Sequence, residues 1–512
     1  MRWLVYARLF LPFGLLSSLP LVSQTILHSF DGDAGPGLAA CESLKGHCDR
    51  PDMDVAVNGT QVMQATWQNI RVYDYTGRLL HTTPTAALIS NSGLAPRNPR
   101  LQMPIEPHVV FDEFIHRWIM TATGADDDLL VSATSDATGA WGGVSLSCLQ
   151  SGPCLDNDEA IHLGFDKNGV YACGYHVGDQ NLHTSHLGYD CFALPSAEVL
   201  AIAQRTPPAH INRTHNLPLD VYPAIDHNPA KLPTAPAFFL AKTCDLNIPG
   251  GCQNPSNFTF HWLVDTFTWS GAAGVYSGEQ EIKTAIGSAS DLWIYNKPCC
   301  GTLMSIPQSG SPDVALRASE SHRIVNVVQR GSHVYAVAGS GPCATNCGSQ
   351  GVDTGNLAFF VDLDCAKTSA CIVSQTAKIS GPAFNAEFPT IGIDAAGNIG
   401  IVALSSTADT DPSLLLWTRK ATDPPNTFTG PATIISGTQP YTCLADKGFV
   451  SVANPVGILT ALDPADGSTL WTTQQWSHDA TPCTWNTRIV AYQIAPALTR
   501  PKPAPGTTNS KP

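Results

Sequence analysis

The chain has 512 residues, only 14% of them charged, and a formal net charge of −14. So acidic and sparsely charged a chain excludes a nucleic-acid partner held through phosphate contacts, and after the first 23 residues no run of eighteen apolar residues offers a membrane span. The 42 Gly and 39 Pro, spread between short apolar runs, are the composition of a turn-rich β protein.

Residues 1–23 join Arg2 and Arg8 to an apolar run from Leu9 to Val22 and end on Ser23, the pattern of a secretory signal peptide. The mature chain is therefore expected to start near Gln24. All 16 cysteines follow that point, many in short-range pairs: Cys41 with Cys48, Cys148 with Cys154, Cys173 with Cys191, Cys244 with Cys252, Cys343 with Cys347 and Cys365 with Cys371. They read as disulfides stapling loops in an oxidising compartment. Zinc thiolates would call for paired C-x-x-C halves, which these spacings do not form. Cys299 and Cys300 fit either a bridge to each other or separate bridges to Cys443 and Cys483.

From Met53 onward one phrase recurs, an apolar strand, a polar turn with Gly or Asn, and a second apolar strand. It reads MDVAVNGTQVMQA from Met53, HVVFDEFIHRWIMTA from His108, IHLGFDKNGVYACGY from Ile161, RIVNVVQRGSHVYAVAG from Arg323, TIGIDAAGNIGIVALSS from Thr390 and GILTALDPADGSTLWTT from Gly457. Each is a hairpin by its alternation and turn residues. The turn markers Asn58, Asp112 and Asp166 step by 54 and 54, and Arg330, Asp394 and Asp463 by 64 and 69. PAFFLAKT from Pro236 and FHWLVDTFTW from Phe260 supply a further unit in the long gap between. Four strands per repeat of this length is the signature of β-propeller blades. The expected architecture is all-β: a single propeller over 24–498, seven-bladed with six or eight as alternatives. A Pro- and Lys-rich tail over 499–512 reads as disordered.

TSDATGAW, Thr134 to Trp141, resembles the Asp-box turn of the BNR or sialidase-like propellers of secreted bacterial proteins, with one extra residue between Asp136 and Gly139; DPADGSTLW, Asp463 to Trp471, is a second degenerate match. The resemblance implies structural turns on the outside of a propeller and no particular chemistry. Sialidase activity in that family needs an early Arg-Ile-Pro phrase, which is absent. ILTALDPADGSTLWTTQQW, from Ile458, is similar to the tryptophan-docking repeat of pyrroloquinoline-quinone dehydrogenases, but it occurs once where those enzymes repeat it, so no quinone cofactor is expected.

In a propeller the first strand of each blade lines the channel, so residues just before these strands converge on one funnel. They are Glu106 and His108; Asp158, Glu159 and His162; Glu320, His322 and Arg323; Asn385 and Glu387; and Asn454, with Asp226 and His227 in the fourth unit. Glu159 and Glu387 are the candidate acid and nucleophile or base of glycoside cleavage, and His322 a candidate lyase base. Arg323 would clamp a sugar carboxylate or sulfate, and Glu320, Glu106, His108, Asp158, Asn385 and Asn454 would complete substrate binding. The competing structural reading is that entrance carboxylates bond backbone N–H groups of the next blade and that His162 is a packed core histidine. Asp112 and Glu113 read as turn residues, with His116 and an Arg117–Trp118 surface contact on the return strand. His176, His183 and His186 form a loose cluster without fixed spacing for a metal.

Two functions remain: an enzyme cleaving acidic extracellular glycans, as hydrolase or lyase, and a non-catalytic propeller binding carbohydrate or protein on an aromatic platform of Trp262, Trp293 and Trp476. No cofactor is called for, a structural Ca²⁺ or other divalent ion stays open, and a secreted monomer is expected.

Overall fold

Five of the first hairpins turn on a polar side chain that folds back on its own backbone. Asn58 Oδ1 accepts the N–H of Thr60 and Gln61 at 2.9 and 2.7 Å, Asp112 Oδ1 that of Phe114 at 2.8 Å, Asp166 Oδ1 that of Asn168 at 2.7 Å, Asp394 Oδ1 that of Ala396 at 2.9 Å and Asp463 Oδ1 that of Ala465 at 2.9 Å. Such turns satisfy donors that the strands leave open.

The computed structural model describes residues 24–35, 51–94, 105–123, 128–146, 157–177, 186–217, 221–244, 260–278, 280–283, 305–306, 308–309, 316–317, 324–340, 357–366, 370–379, 387–442, 450–451, 460–479, 481 and 484–494. Residues 1–23, the expected tail over 499–512 and most of the expected cysteine pairs lie outside them.

In chain order, β1 (Thr25–Ala34) precedes a first sheet of β2 (Asp54–Val57), β3 (Gln61–Ala65), β4 (Asn69–Asp74) and β5 (Leu79–Pro84). The second sheet is β6 (Ile105–Asp112), β7 (Arg117–Thr123), β8 (Asp128–Ser132) and β9 (Trp141–Ser145). The third is β10 (Asn157–Asp166), β11 (Gly169–Val177), β12 (His186–Pro195) and β13 (Asn212–Leu217). In the fourth, β14 (Val221–Asp226), β15 (Ala237–Cys244), β16 (Phe260–Ser270) and β17 (Ala273–Tyr276) pair in order, and β18 (Gln280–Lys283) adds to β16. Short β19 (Ser305–Ile306) and β20 (Leu316–Arg317) precede a fifth sheet of β21 (Ile324–Arg330), β22 (His333–Ser340), β23 (Leu357–Asp364) and β24 (Ile372–Ile379). The sixth is β25 (Glu387–Ile393), β26 (Ile399–Thr407), β27 (Thr410–Arg419) and β28 (Thr429–Ile435); β29 (Val450–Ser451) then pairs with β20. The last sheet joins β30 (Thr460–Leu462), β31 (Leu470–Trp476) and β32 (Asn486–Gln493) to β1, so the first strand of the chain completes the final sheet.

The first strands of successive sheets touch in order, β2 to β6, β10, β14, β21, β25 and β30, and β30 touches β2. The pair β14 and β21 even hydrogen-bonds in parallel, Ala224 opposite Val327. Apolar clusters fill the space between each neighbouring pair of sheets. Met63 and Trp118 pack between the first and second, Phe239 and Tyr171 between the third and fourth, and Leu416 and Tyr492 between the sixth and seventh. Between seventh and first, Trp471 lies with Val55, Val62 and Tyr73. Burial on both faces explains why β31, LWTTQQW, is buried at every position and why the alternation of its sequence is weak.

All six hairpin phrases form as read, as do the two strands expected near Pro236 and Phe260. The fourth unit differs in one respect: its first strand is β14, VYPAID, so Asp226 and His227 lie at that strand's far end and not at its entrance. Two short helices interrupt the all-β reading, α1 (Thr85–Asn91) and α2 (Ser196–Ala203), each after a proline whose fixed φ suits a helix start. Leu88 of α1 and Val199 and Ile202 of α2 wedge into the inter-sheet clusters. At seven and eight residues they are too short to show a helical period.

Two expected disulfides are formed. Cys173–Cys191 ties directly opposed residues of β11 and β12, and Cys365–Cys371 closes the turn between β23 and β24. TSDATGAW is the β8–β9 turn, where Asp136 accepts the N–H of Thr138 at 3.0 Å and Trp141 Nε1 donates to Ala137 O at 3.2 Å. DPADGSTLW instead makes the β30–β31 turn, so the two phrases are not equivalent in the fold.

Candidate functional site at the ends of the channel

The step of 54 residues reappears inside the strands. Asp54, His108 and His162 stand at matching positions of β2, β6 and β10, all buried. Asp54 Oδ2 lies 3.6 Å from His108 Nδ1 and accepts the Val109 N–H at 2.8 Å. The His108 and His162 rings meet edge to face at 5.1 Å, and His162 stacks on Tyr222 of β14 at 3.9 Å. In the other sheets Asn326 pairs with the Ile391 backbone, donating to its oxygen at 2.7 Å and accepting its N–H at 3.0 Å. Thr390 Oγ1 donates to Asn326 Oδ1 at 3.1 Å, and Thr460 Oγ1 to Thr390 Oγ1 at 3.2 Å. The result is a polar layer contributed by all seven first strands. Asp54 has the structural role weighed above for entrance carboxylates, although the sequence reading did not single it out.

Just ahead of that layer β6, β10 and β25 carry the same register shift, between Ile105 and His108, Glu159 and His162, and Glu387 and Thr390, and β21 carries one a residue nearer its turn, between Ile324 and Val327. Glu106 and Phe388, inside two of these bulges, hold φ of +53° and +50°. Left-handed backbone at non-glycine residues costs on the order of 1–2 kcal/mol each, and bulges re-aim the side chains around them. Glu159, opposite Tyr175, and Glu387, opposite Leu404, thus open equivalent bulges on strands three sheets apart.

Of the other expected site residues, Glu106 and His108 are buried, and Asp158 sits in β10 opposite His176. The side chains of Asp158, Glu159 and Glu387, and all of Glu320, His322, Arg323, Asn385 and Asn454, lie outside the described residues, as do Trp293, His183 and the side chains of His176 and His186. Trp262 is fully buried in the core between the fourth and fifth sheets, which removes it from any surface platform. Trp476 stacks on His478 at 4.8 Å, with the Arg488 guanidinium 5.6 Å from its ring. Among the described residues no three His, Cys, Asp or Glu side chains group as a metal site.

Below the layer lies a narrow, largely apolar cavity lined by Val55, Val109, Phe165, Ile225, Val328, Ile393 and Leu462, one residue from each sheet. At its turn end it opens into a cavity of about 390 Å³. Glu113, His227 and Arg330 line that cavity, and Glu113 Oε1 lies 2.7 Å from His227 Nδ1. Beside it Asp112 is buried, and burial pushes its carboxyl up to about 7 against the pull of the Phe114 N–H. Lys231, also buried, holds Asp166 at 2.8 Å and Asp226 at 3.1 Å, tying the third and fourth sheets together. Arg117 differs from its expected role: its Nη1 donates to the Ile115 and His116 carbonyls at 3.3 and 2.9 Å, while Trp118 is fully buried. The sequence reading missed Glu113, His227 and Arg330 as a group because they come from turns of three different sheets.

No family model matches the chain, and no curated protein matches it in sequence. Among solved structures it is similar to an α-L-arabinanase of Cellvibrio cellulosa, at 13% identity and TM-score 0.28, over 64% of this chain and 96% of that one. A Trypanosoma rangeli sialidase gives 8% identity and TM-score 0.31 over 75% of this chain and 54% of that one. A Synechocystis apocarotenoid oxygenase gives 11% and 0.35, covering 87% of each. Likenesses this weak carry no argument about fold or chemistry, which rest on the strand pairing and side chains above.

Proposed function

We propose that the chain is a secreted, closed seven-bladed propeller that cleaves an acidic glycan at the strand-entrance end of its channel. Four observations support the ring: seven sheets, first strands touching in cyclic order, apolar clusters between neighbouring sheets, and β1 completing the last sheet. The two disulfides support an oxidising compartment.

The observation that carries the chemistry is the shared bulge of β10 and β25, which Glu159 and Glu387 open in equivalent register. In a ring of seven, strands three sheets apart face each other across the channel. One carboxyl, protonated because like charge and burial raise its pKa, would give its proton to the leaving oxygen. The other would attack the sugar or activate water. Arg323 would bind the substrate's acidic group, with Glu320, Glu106, His108, Asp158, Asn385 and Asn454 around the ring; in a lyase His322 would remove the proton beside a uronate. No metal or cofactor takes part in this reading, and the protein acts as a monomer.

Incubation of the full chain with uronate- and sialate-containing glycans, scored by released sugar ends, tests this. Cleavage by the wild type and a loss of about a hundredfold or more in Glu159→Gln and Glu387→Gln is the expected result. Equal turnover in either variant removes that carboxyl. Binding without any cleavage assigns the entrance to a non-catalytic propeller.

A further inference from the structure

The turn-end cavity takes no part in the chemistry proposed at the entrance. At about 390 Å³ it falls within the roughly 300–1,000 Å³ of small-molecule sites. Turns of six sheets build it: Asn58 comes from the first, Phe111, Glu113, Phe114 and His116 from the second, His227 from the fourth, Arg330 from the fifth, Ala395 from the sixth and Ala465 from the seventh. Phe111, Phe114 and Leu462 supply apolar wall.

Its polar groups are mixed. Glu113 engages His227 through Oε1 while its Oε2 is buried without a hydrogen-bond partner. Arg330 donates through Nη2 to Ile393 O at 3.0 Å, and its Nε is also buried without a partner. Those two atoms are closed off from the cavity, but the Glu113 and His227 side chains keep part of their surface exposed beside Arg330, and it is these exposed polar edges that a ligand's hydroxyls would reach, directly or through water.

Charge decides which ligand. Glu113 and Arg330 offset each other, and Asp226 and Asp394 act on Arg330 from its other neighbours. Glu113 and Arg330 are the carboxylate and the guanidinium in the cavity wall, so a ligand of either charge meets a group of its own sign. We propose that this cavity binds a neutral hydroxylated ring, a monosaccharide or cyclic polyol. Its hydroxyls would donate to Glu113 and to His227 Nε2 and accept from Arg330, and its C–H face would lie on Phe114. The site is separate from the entrance and does not depend on the glycan-cleaving reading.

The test is a titration of the full chain with D-glucose, D-galactose and myo-inositol, with glucuronate and glucosamine as charged counterparts, followed by saturation-transfer NMR. At least one neutral ring should saturate with a dissociation constant of about 1–10 mM, and the charged counterparts should bind at least about tenfold more weakly. Ala465→Phe, which fills the cavity from an exposed turn position, should abolish the signal, and Arg330→Met should weaken it about tenfold. Glu159→Gln and Glu387→Gln should leave it unchanged. No saturation by any neutral ring up to about 100 mM, equal binding of a charged counterpart, retention in Ala465→Phe, or loss in the entrance variants would each overturn the proposal. Should Arg330→Met not fold, Ala465→Phe decides.

Discussion

Replacing Asp112 by Asn should make the protein more stable at neutral pH and leave it nearly unchanged in acid. Asp112 is fully buried, and its Oδ1 accepts the N–H groups of Phe114 and Ile115 at 2.8 and 3.3 Å, bonds that an amide oxygen can keep. Burial raises its carboxyl from an ordinary 3.8 to about 7, with Glu113 and Asp166 adding to the rise. Below pH 3.8 both folded and unfolded chains hold the proton, and this group has no effect on stability. As pH rises towards 7 the unfolded chain ionises first and is favoured, so stability falls until the folded carboxyl ionises too. At about 1.4 kcal/mol per tenfold change in proton activity, the loss is on the order of 4 kcal/mol. Urea denaturation with disulfides intact, run from pH 4 to pH 8, measures it. The stability difference between Asp112→Asn and wild type should grow across that range by up to about 4 kcal/mol. A difference that stays constant with pH would show that Asp112 is ionised in the folded protein and would refute the reasoning.

Other consequences follow from the packing. Trp471→Ala removes a buried ring held by Tyr75 at 4.9 Å and His28 at 5.7 Å and should cost about 3–5 kcal/mol in denaturant titration. Asp33→Ala breaks a buried carboxylate bound to Arg71 at 2.7 Å and to Thr66 at 2.7 Å; a loss of about 3–5 kcal/mol is expected, with faster hydrogen exchange concentrated in β1. Replacing Cys173 and Cys191 together by Ser opens a link of sequence separation 18 and should cost about 3 kcal/mol.

Much of the fold was legible because its turns are written in the same chemistry each time. An Asn or Asp that folds back on its own turn follows or ends several of the first strands, so Asn58, Asp112 and Asp166 report the repeat directly. The fourth first strand was not legible: VYPAID is short and carries Pro223, and the parallel pairing with β21 that fixes it joins Ala224 to Val327, 103 residues further on. The helices escaped notice for want of length. At the site, the sequence showed which strands carry ionisable residues but not which end of a strand each would occupy, as Asp226 and His227 demonstrate. Glu113 meets His227 across 114 positions of chain, a contact that only the packing of turns produces. Trp262 reads like a platform aromatic in sequence and is core in the fold, because both faces of its sheet are covered.

The proposed chemistry depends on the separation of two carboxyl groups. A crystal structure that resolves the Glu159 and Glu387 side chains measures it. Facing carboxyls about 5–9.5 Å apart across an open channel are predicted, the shorter end for a retaining and the longer for an inverting mechanism. Carboxyls turned into separate sheets, or farther apart than about 12 Å, would contradict it.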